Sequence, residues 1–289
     1  MIDYFHVDVF SPRPFTGNSL TVFPDSAALS AEQMLAVTLE MRHFESIFLI
    51  PMAERNTVRA RVFDLLGELD FAGHPLLGAA CVLHELRGAA ETESWSFVLR
   101  RKTVTVATEQ RGSGYSAVLD QGRPEFLGEL AAERHAEFAA ALGLEAGDLS
   151  ARYPPEVVST GLRYLVFPIE SGLERAGIRH RAFEALLATV GAEFAYVLDV
   201  NAREGRHWNN DGLTEDVATG SGAGTVGAYA VKHGLAAPGE ELILRQGRFT
   251  GRPSRIRVRG EGSPSDVTTI FVGGDVAMVG RGTLLALPG

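Results

Sequence analysis

The chain has 289 residues, 45% of them hydrophobic, and a mean hydropathy of +0.04, which excludes a chain disordered throughout and leaves room for two lobes of about 140 residues. Net charge is −9 and the longest basic run is Arg100-Arg101-Lys102, so no nucleic-acid partner is expected; Cys81 is the only cysteine, which excludes an internal disulfide and any CxxC centre. Acidic residues interrupt the opening MIDYFHVDVF, and no window nears the roughly 18 apolar residues of a membrane span, so a cytoplasmic protein acting on a small molecule, with no membrane partner, is expected.

Apolar alternation predicts strands at 4–10 and 20–23. Ser30-Ala31-Glu32-Gln33 is a capping-box pattern that opens a helix with Met34, Val37 and Met41 as its stripe. Strands follow at 47–50 and 58–63, then a helix after Gly73 through Leu76, Leu77, Ala80 and Leu83. Strands at 96–99, 104–108 and 115–119 precede a helix over 127–142 that ends at Gly143. Next come a strand at 163–167, a helical stripe of Phe183, Leu186, Leu187 and Val190, and a strand at 194–198. A helix follows Gly220 through Val226, Ala230 and Val231, with Gly234 just past its end. Strands at 242–244, 255–258, 268–272 and 276–279 close the chain.

The two halves repeat one another. Thr16-Gly17-Asn18-Ser19-Leu20-Thr21-Val22-Phe23-Pro24 matches Thr160-Gly161-Leu162-Arg163-Tyr164-Leu165-Val166-Phe167-Pro168 at five of nine positions, 144 residues apart. Glu45-Ser46-Ile47-Phe48-Leu49 resembles Glu193-Phe194-Ala195-Tyr196-Val197, 148 apart. The segment from Ala72-Gly73-His74 pairs with that from Thr219-Gly220-Ser221, 147 apart. Three pairs in one order at nearly constant spacing predict two equivalent lobes. Their boundaries fall at 1–122, completed by a C-terminal strand within 276–289, and at 123–275.

Gly73 and Gly220 each open a helix, where unpaired N–H groups and a partial positive charge favour an anion. Two such ends facing each other could grip a carboxylate and stabilise a developing enolate-like charge. Asp216 and Ser221 add a carboxylate and a hydroxyl beside the second. Glu45 begins an apolar strand, a setting that desolvates a carboxylate and suits it to general acid/base work. Read singly, each of these is an ordinary turn, cap or strand-edge residue. Gly222-Ala223-Gly224-Thr225-Val226-Gly227 matches GxGxxG, but the preceding Gly212-Leu213-Thr214-Glu215-Asp216 is polar where a dinucleotide fold needs a strand. Ser221 misses the GxSxG elbow by one glycine, and the eight histidines show no metal-binding spacing.

The set Phe15-Thr16-Gly17-Asn18, Glu45-Ser46, Phe71-Ala72-Gly73-His74-Pro75, Thr160-Gly161-Leu162 and Glu215-Asp216-Val217-Ala218-Thr219-Gly220-Ser221 resembles the phenazine-biosynthesis isomerase (PhzF-like) family, which shares the diaminopimelate epimerase fold. The resemblance implies an α+β fold of two pseudo-symmetric lobes. Each would be a curled, mostly antiparallel sheet around a central helix, with the site in the cleft between them. It implies a homodimer, no cofactor and no metal, and a small-molecule carboxylate substrate. It places the catalytic roles on Glu45, His74, Asp216 and Ser221, with Glu45 as the general acid/base. Asn18, Gly73, Thr219 and Gly220 would bind the substrate.

The chain departs from the family pattern at Ser19 and Val217, where proline is usual, and its Arg61-Val62-Phe63 and Arg206-His207-Trp208 lack the proline of the family's Arg-x-Phe-x-Pro. Asp64, Asp70 and Trp208 are then candidates to line a different pocket. The paired cysteines of two-base racemases fall on Ala72 and Thr219 here, and Cys81 reads as core. The expected function is therefore a cofactor-independent isomerase. It would move a proton and a double bond within a small unsaturated amino- or hydroxy-carboxylate, in natural-product biosynthesis. A carboxylate-based epimerase of the same fold and a non-catalytic binding protein are the alternatives.

Overall fold

The computed structural model describes residues 1–88, 91–112 and 114–289, which divide into two compact units, 1–120 with 273–289, and 121–272. The first half of the chain forms β1 (Ile2–Val9), β2 (Asn18–Phe23), α1 (Ala31–Met41), β3 (Glu45–Pro51), β4 (Thr57–Asp64), β5 (Glu68–Leu69), α2 (Gly73–Arg87), β6 (Thr92–Val98), β7 (Thr103–Arg111) and β8 (Gly114–Gly122). The second forms β9 (Glu125–Glu129), α3 (His135–Ala141), β10 (Glu156–Ser159), β11 (Arg163–Ile169), α4 (Phe183–Ala188), β12 (Phe194–Asp199), β13 (Glu204–Arg206), α5 (Gly220–Lys232), β14 (Glu241–Gln246), β15 (Ser254–Ser263) and β16 (Asp266–Leu284). The unit boundaries fall within β8 and β16. The class is α+β, as expected.

In the first unit the strands run β1-β2-β3-β4-β6-β7-β8 and return through β16, which pairs with β1 from Ile2↔Leu284 to Val9↔Val276. β2/β3 and β4/β6 are parallel, while β1/β2, β1/β16, β3/β4, β6/β7 and β7/β8 are antiparallel. The sheet bends this way because α2 has no polar face. Leu76, Leu77, Ala79, Ala80, Cys81 and Val82 are all buried, and a helix apolar on every side must be covered on every side. Gly78 lets the helix approach the sheet; a Cβ there would come within 2.5 Å of the Leu20 methyl. On the sheet's other face, α1 packs Met34 and Val37 onto Phe23, Phe48 and Phe63. Phe23 and Phe48 stack at 4.6 Å, and Phe63 meets Phe48 edge-on. The expected capping box is present, with Ser30 and Gln33 exchanging hydrogen bonds.

The second unit repeats the plan. Its strands run β9-β10-β11-β12-β13-β14-β15-β16, with α5 packed on β10, β11 and β15. Ala223, Val226, Ala228, Tyr229, Ala230 and Val231 bury α5 all round. Gly234 ends it at φ +71°, the left-handed conformation a C′ glycine takes. A second core outside the sheet holds Phe138, Leu142, Phe167, Phe183, Leu187 and Val197. No helix among the described residues is long and apolar enough to cross a membrane.

Two elements differ from the sequence expectation. Residues 127–129, expected to begin the helix over 127–142, instead lie in β9, which pairs with β10 from Ser159↔Glu125 to Glu156↔Glu129. Leu127 is exposed there, so no apolar face rewards a helix, and α3 covers only His135–Ala141. The strands expected at 268–272 and 276–279 are one strand, β16, of 19 residues. Gly273 and Gly274 do not turn the chain; they admit close neighbours. A Cβ at Gly273 would lie 2.5 Å from the Ala117 carbonyl oxygen, and one at Gly274 2.5 Å from the Phe10 ring.

One buried ion cluster holds the far end of α5. Glu156 binds Lys232 through one oxygen and His233 Nε2 through the other, at 2.8 Å. Burial opposes its charge, but hydrogen bonds from His233 and Lys232 prevail and hold its carboxyl below the ordinary 4.5. A lowered folded-state value means that the stabilisation is complete above 4.5 and is lost as pH falls through the folded-state value. Glu156→Gln is expected to cost about 1–3 kcal/mol at neutral pH by leaving two half-buried donors underused. Urea unfolding should show that gap narrowing below pH 4.5.

Candidate active site

In the first unit, β3 begins at Glu45 and ends its side chain against the first turn of α2. Parallel pairing sets Leu20 opposite Glu45, on the face that α2 covers. Glu45 and His74 are both buried, with 9% and 6% of their side chains exposed, and Glu45 Oε2 lies 3.4 Å from His74 Nδ1. Ala72, the residue before α2, has no side-chain acceptor to cap it. The first N–H groups of α2 are therefore not satisfied by a cap from that residue, and they carry the helix's partial positive charge. Pro75 stands third in the helix rather than first, still within the turn where a missing N–H costs nothing. Asn18 is buried at the start of β2, after Gly17 at φ +74°.

In the second unit, Thr219 occupies the same place before α5 and also makes no cap to the helix. Its hydroxyl turns away and donates to Asp216 Oδ2 at 2.7 Å, while the Ala218 N–H reaches Oδ1. Gly220 is the first residue of α5, and Gln121 Nε2 donates to its carbonyl. Ser221 Oγ and the Tyr164 hydroxyl are 2.8 Å apart. Behind them His207 is buried with Nδ1 donating to the Ala195 carbonyl, and its ring meets Tyr164 and Phe194 edge-on. Burial lowers the His207 value, outweighing the pull of Asp216, so this imidazole is neutral near pH 7 with its proton on Nδ1.

The structure thus pairs Glu45 with His74, and Asp216 with Thr219. It also corrects the internal comparison. Leu20 faces Glu45 in β2/β3, whereas Tyr164 faces Phe194 in β11/β12. The counterpart of Glu45 is therefore Phe194, one residue beyond the Glu193 that the sequence match suggests. Glu193 is an exposed strand-edge residue that pairs with Arg163. One unit carries a buried carboxylate at this position and the other an aromatic ring.

The residues at the departures from the family pattern have these partners. Trp208 belongs to the second core, and Arg206 lies over its ring and over that of Phe249. Asp64 accepts the N–H groups of Leu66 and Gly67 in the β4–β5 turn, and Asp70 pairs with Arg100 and Arg101. Arg61 grips Glu68 through two parallel hydrogen bonds, and Arg206 grips Glu215 in the same way, a further repeat that the sequence match missed. Cys81 is fully buried, and burial pushes its thiol far above the usual range, so it is packing and not a nucleophile. Tyr164, Tyr196, His207 and Gln246 were not singled out as site residues by the sequence reading; the available signals were that Tyr164 and Tyr196 stand in the repeated segments Thr160–Pro168 and Glu193–Val197. Among the described residues, no group of three or more His, Cys, Asp or Glu side chains is placed to hold a metal ion.

The family model for phenazine biosynthesis-like proteins (PhzC-PhzF) matches residues 7–282. The trans-2,3-dihydro-3-hydroxyanthranilate isomerase of Pseudomonas chlororaphis is 32% identical over 99% of this chain and 100% of its own length. The isomerase of the same name from Pseudomonas aeruginosa is 33% identical, over 96% of this chain and 98% of its own. Among solved structures, a Pseudomonas aeruginosa protein described as a predicted epimerase superposes with a TM-score of 0.92 at 48% identity, covering 99% and 100% of the two chains. A probable proline racemase from Agrobacterium radiobacter shares the fold at a TM-score of 0.62 and 13% identity, covering 98% and 93%. This chain belongs to the phenazine biosynthesis-like protein family, whose isomerases it matches over almost its whole length.

Proposed function

We propose that the chain is a cofactor-independent isomerase that moves a proton and a double bond within a small unsaturated amino- or hydroxy-carboxylate. The compound named for its Pseudomonas relatives, trans-2,3-dihydro-3-hydroxyanthranilate, is the first candidate. The observation that carries this reading is the buried Glu45 beside His74, set against Phe194 at the corresponding place in the second unit. A single carboxylate serves a reaction in which the proton leaves one carbon and joins another.

In this reading Glu45 takes a proton from a carbon next to the unsaturated system. The C–H electron pair becomes part of a shifted double bond, and the substrate carboxylate draws off the developing charge. Protonated Glu45 then returns a proton to a different carbon, so nothing is gained or lost overall. His74 fixes the carboxylate's position from the first turn of α2. Asn18, Gly73, Thr219 and Gly220 bind the substrate, with backbone N–H groups suited to a carboxylate. Asp216 orients it, and Ser221 supplies a hydrogen bond. A homodimer belongs to the same proposal. The epimerase alternative draws on the predicted epimerase that the chain resembles, but a two-base epimerase needs a base from each unit. In the second unit, Asp216 already accepts bonds from Thr219 and Ala218.

Glu45→Gln keeps the size and polarity of the side chain but cannot cycle a proton. Its kcat on trans-2,3-dihydro-3-hydroxyanthranilate is expected to fall about a hundredfold or more, with calorimetric binding retained; a wild-type rate would move the base to His74 or Asp216. Cys81→Ala is expected to keep kcat within about twofold and to cost about 1 kcal/mol of stability in a urea titration, since only buried packing is lost. A collapse of activity in that folded variant would restore thiol chemistry.

A further inference from the structure

The second unit's polar residues rest on two side chains that the proposed chemistry does not use. Tyr196 on β12 and Gln246, the last residue of β14, are buried beneath the start of α5. The Tyr196 hydroxyl donates to Gln246 Oε1 at 2.9 Å, and the same oxygen accepts the Thr219 N–H at 3.1 Å. Gln246 Nε2 donates to the Asp216 carbonyl and to Thr219 Oγ1, each at 3.0 Å. Every hydrogen-bonding position of the amide is used, which fixes which end is oxygen.

That orientation dictates the rest. Thr219 Oγ1 accepts from Gln246, so its own hydrogen goes to Asp216 Oδ2. Asp216 Oδ2 must then be an acceptor. Tyr196 cannot swing away, because Gly205 and Gly222 pack so tightly on its ring that a Cβ at either would overlap it. Burial also pushes its phenol well above the ordinary value, so it remains a donor at any working pH. The chain from ring to carboxylate is thus set link by link: two glycines hold Tyr196, Tyr196 and Thr219 hold the amide oxygen, and the amide nitrogen holds the Asp216–Thr219 segment from which α5 starts.

We propose that Tyr196 and Gln246 are positioning residues that set the direction of the Asp216 carboxylate and of the first turn of α5 for substrate binding. The proposal rests on the reading of Asp216 as a site residue. Buried networks of this kind hold a geometry through mutual satisfaction, and losing one member releases its neighbours.

The test compares Tyr196→Phe, which deletes one hydroxyl and leaves the ring packed, with Gln246→Met, which keeps volume and removes all four bonds. Asp216→Asn is run beside them, each with trans-2,3-dihydro-3-hydroxyanthranilate. A purely structural role lowers the melting temperature and the folded fraction, and hence the maximal rate, without moving KM. The positioning role raises KM, by about threefold or more in Tyr196→Phe and about tenfold in Gln246→Met, on the scale of one and of several hydrogen bonds. Should Gln246→Met fail to fold, Tyr196→Phe decides alone. Wild-type KM in the folded variants beside an impaired Asp216→Asn overturns the positioning role by itself. Wild-type parameters in Asp216→Asn overturn the role of Asp216 and the positioning role with it. The glutamate mechanism is judged separately, by Glu45→Gln.

Discussion

A helix without a polar face has to be enclosed, and this chain contains two of them. Enclosing α2 and α5 bends each sheet, calls for glycine where helix and strand meet most closely, as at Gly78, and leaves each helix start within its unit's polar residues. Neither helix is capped by the residue before it, since Ala72 has no acceptor and the Thr219 hydroxyl is committed to Asp216. Unpaired N–H groups at helix starts favour anions, and in the proposed function they bind the substrate carboxylate.

On that repeated frame the two units have diverged at one register position. Where Glu45 stands beside His74, the second unit has Phe194 beside Tyr164 and His207. The aromatic group leaves Ser221 and Asp216 as the polar residues at the start of α5, and Tyr164 and Thr219 respectively contact them. A duplicated fold with a base in each half suits inversion at one carbon; a fold with one buried carboxylate suits transfer between two carbons. The chain shares its fold with a probable proline racemase, while its full-length curated relatives are isomerases.

Much of this was legible in the sequence, for physical reasons. Apolar helices announce themselves in Leu76, Leu77 and Ala80 or Val226, Ala230 and Val231, and the capping box at Ser30 marks its helix start without tertiary help. Glu45 and His74 were found because each lies in a segment with a recognisable pattern. Residues 127–129 were misread as helix because edge pairing, not local periodicity, makes them a strand. The strands at 268–272 and 276–279 were read as separate because the use of Gly273 and Gly274 for close approach depends on distant partners, Ala117 and Phe10. That Arg206 and the second core pack around Trp208 is not visible in any local pattern. Gln246 and Tyr196 were silent for the same reason: their meaning lies in hydrogen bonds to residues 27 to 50 positions away.

The central claim is that one carboxylate carries a proton between two carbons of the same molecule. The most direct measurement uses trans-2,3-dihydro-3-hydroxyanthranilate deuterated at the carbon that loses its hydrogen, turned over in ordinary water and analysed by NMR. Single-carboxylate transfer predicts a product with a shifted double bond and a fraction of the deuterium at its newly protonated carbon. A product with the double bond unmoved, the configuration inverted and solvent hydrogen at the labelled carbon would be the mark of two bases, and would contradict it.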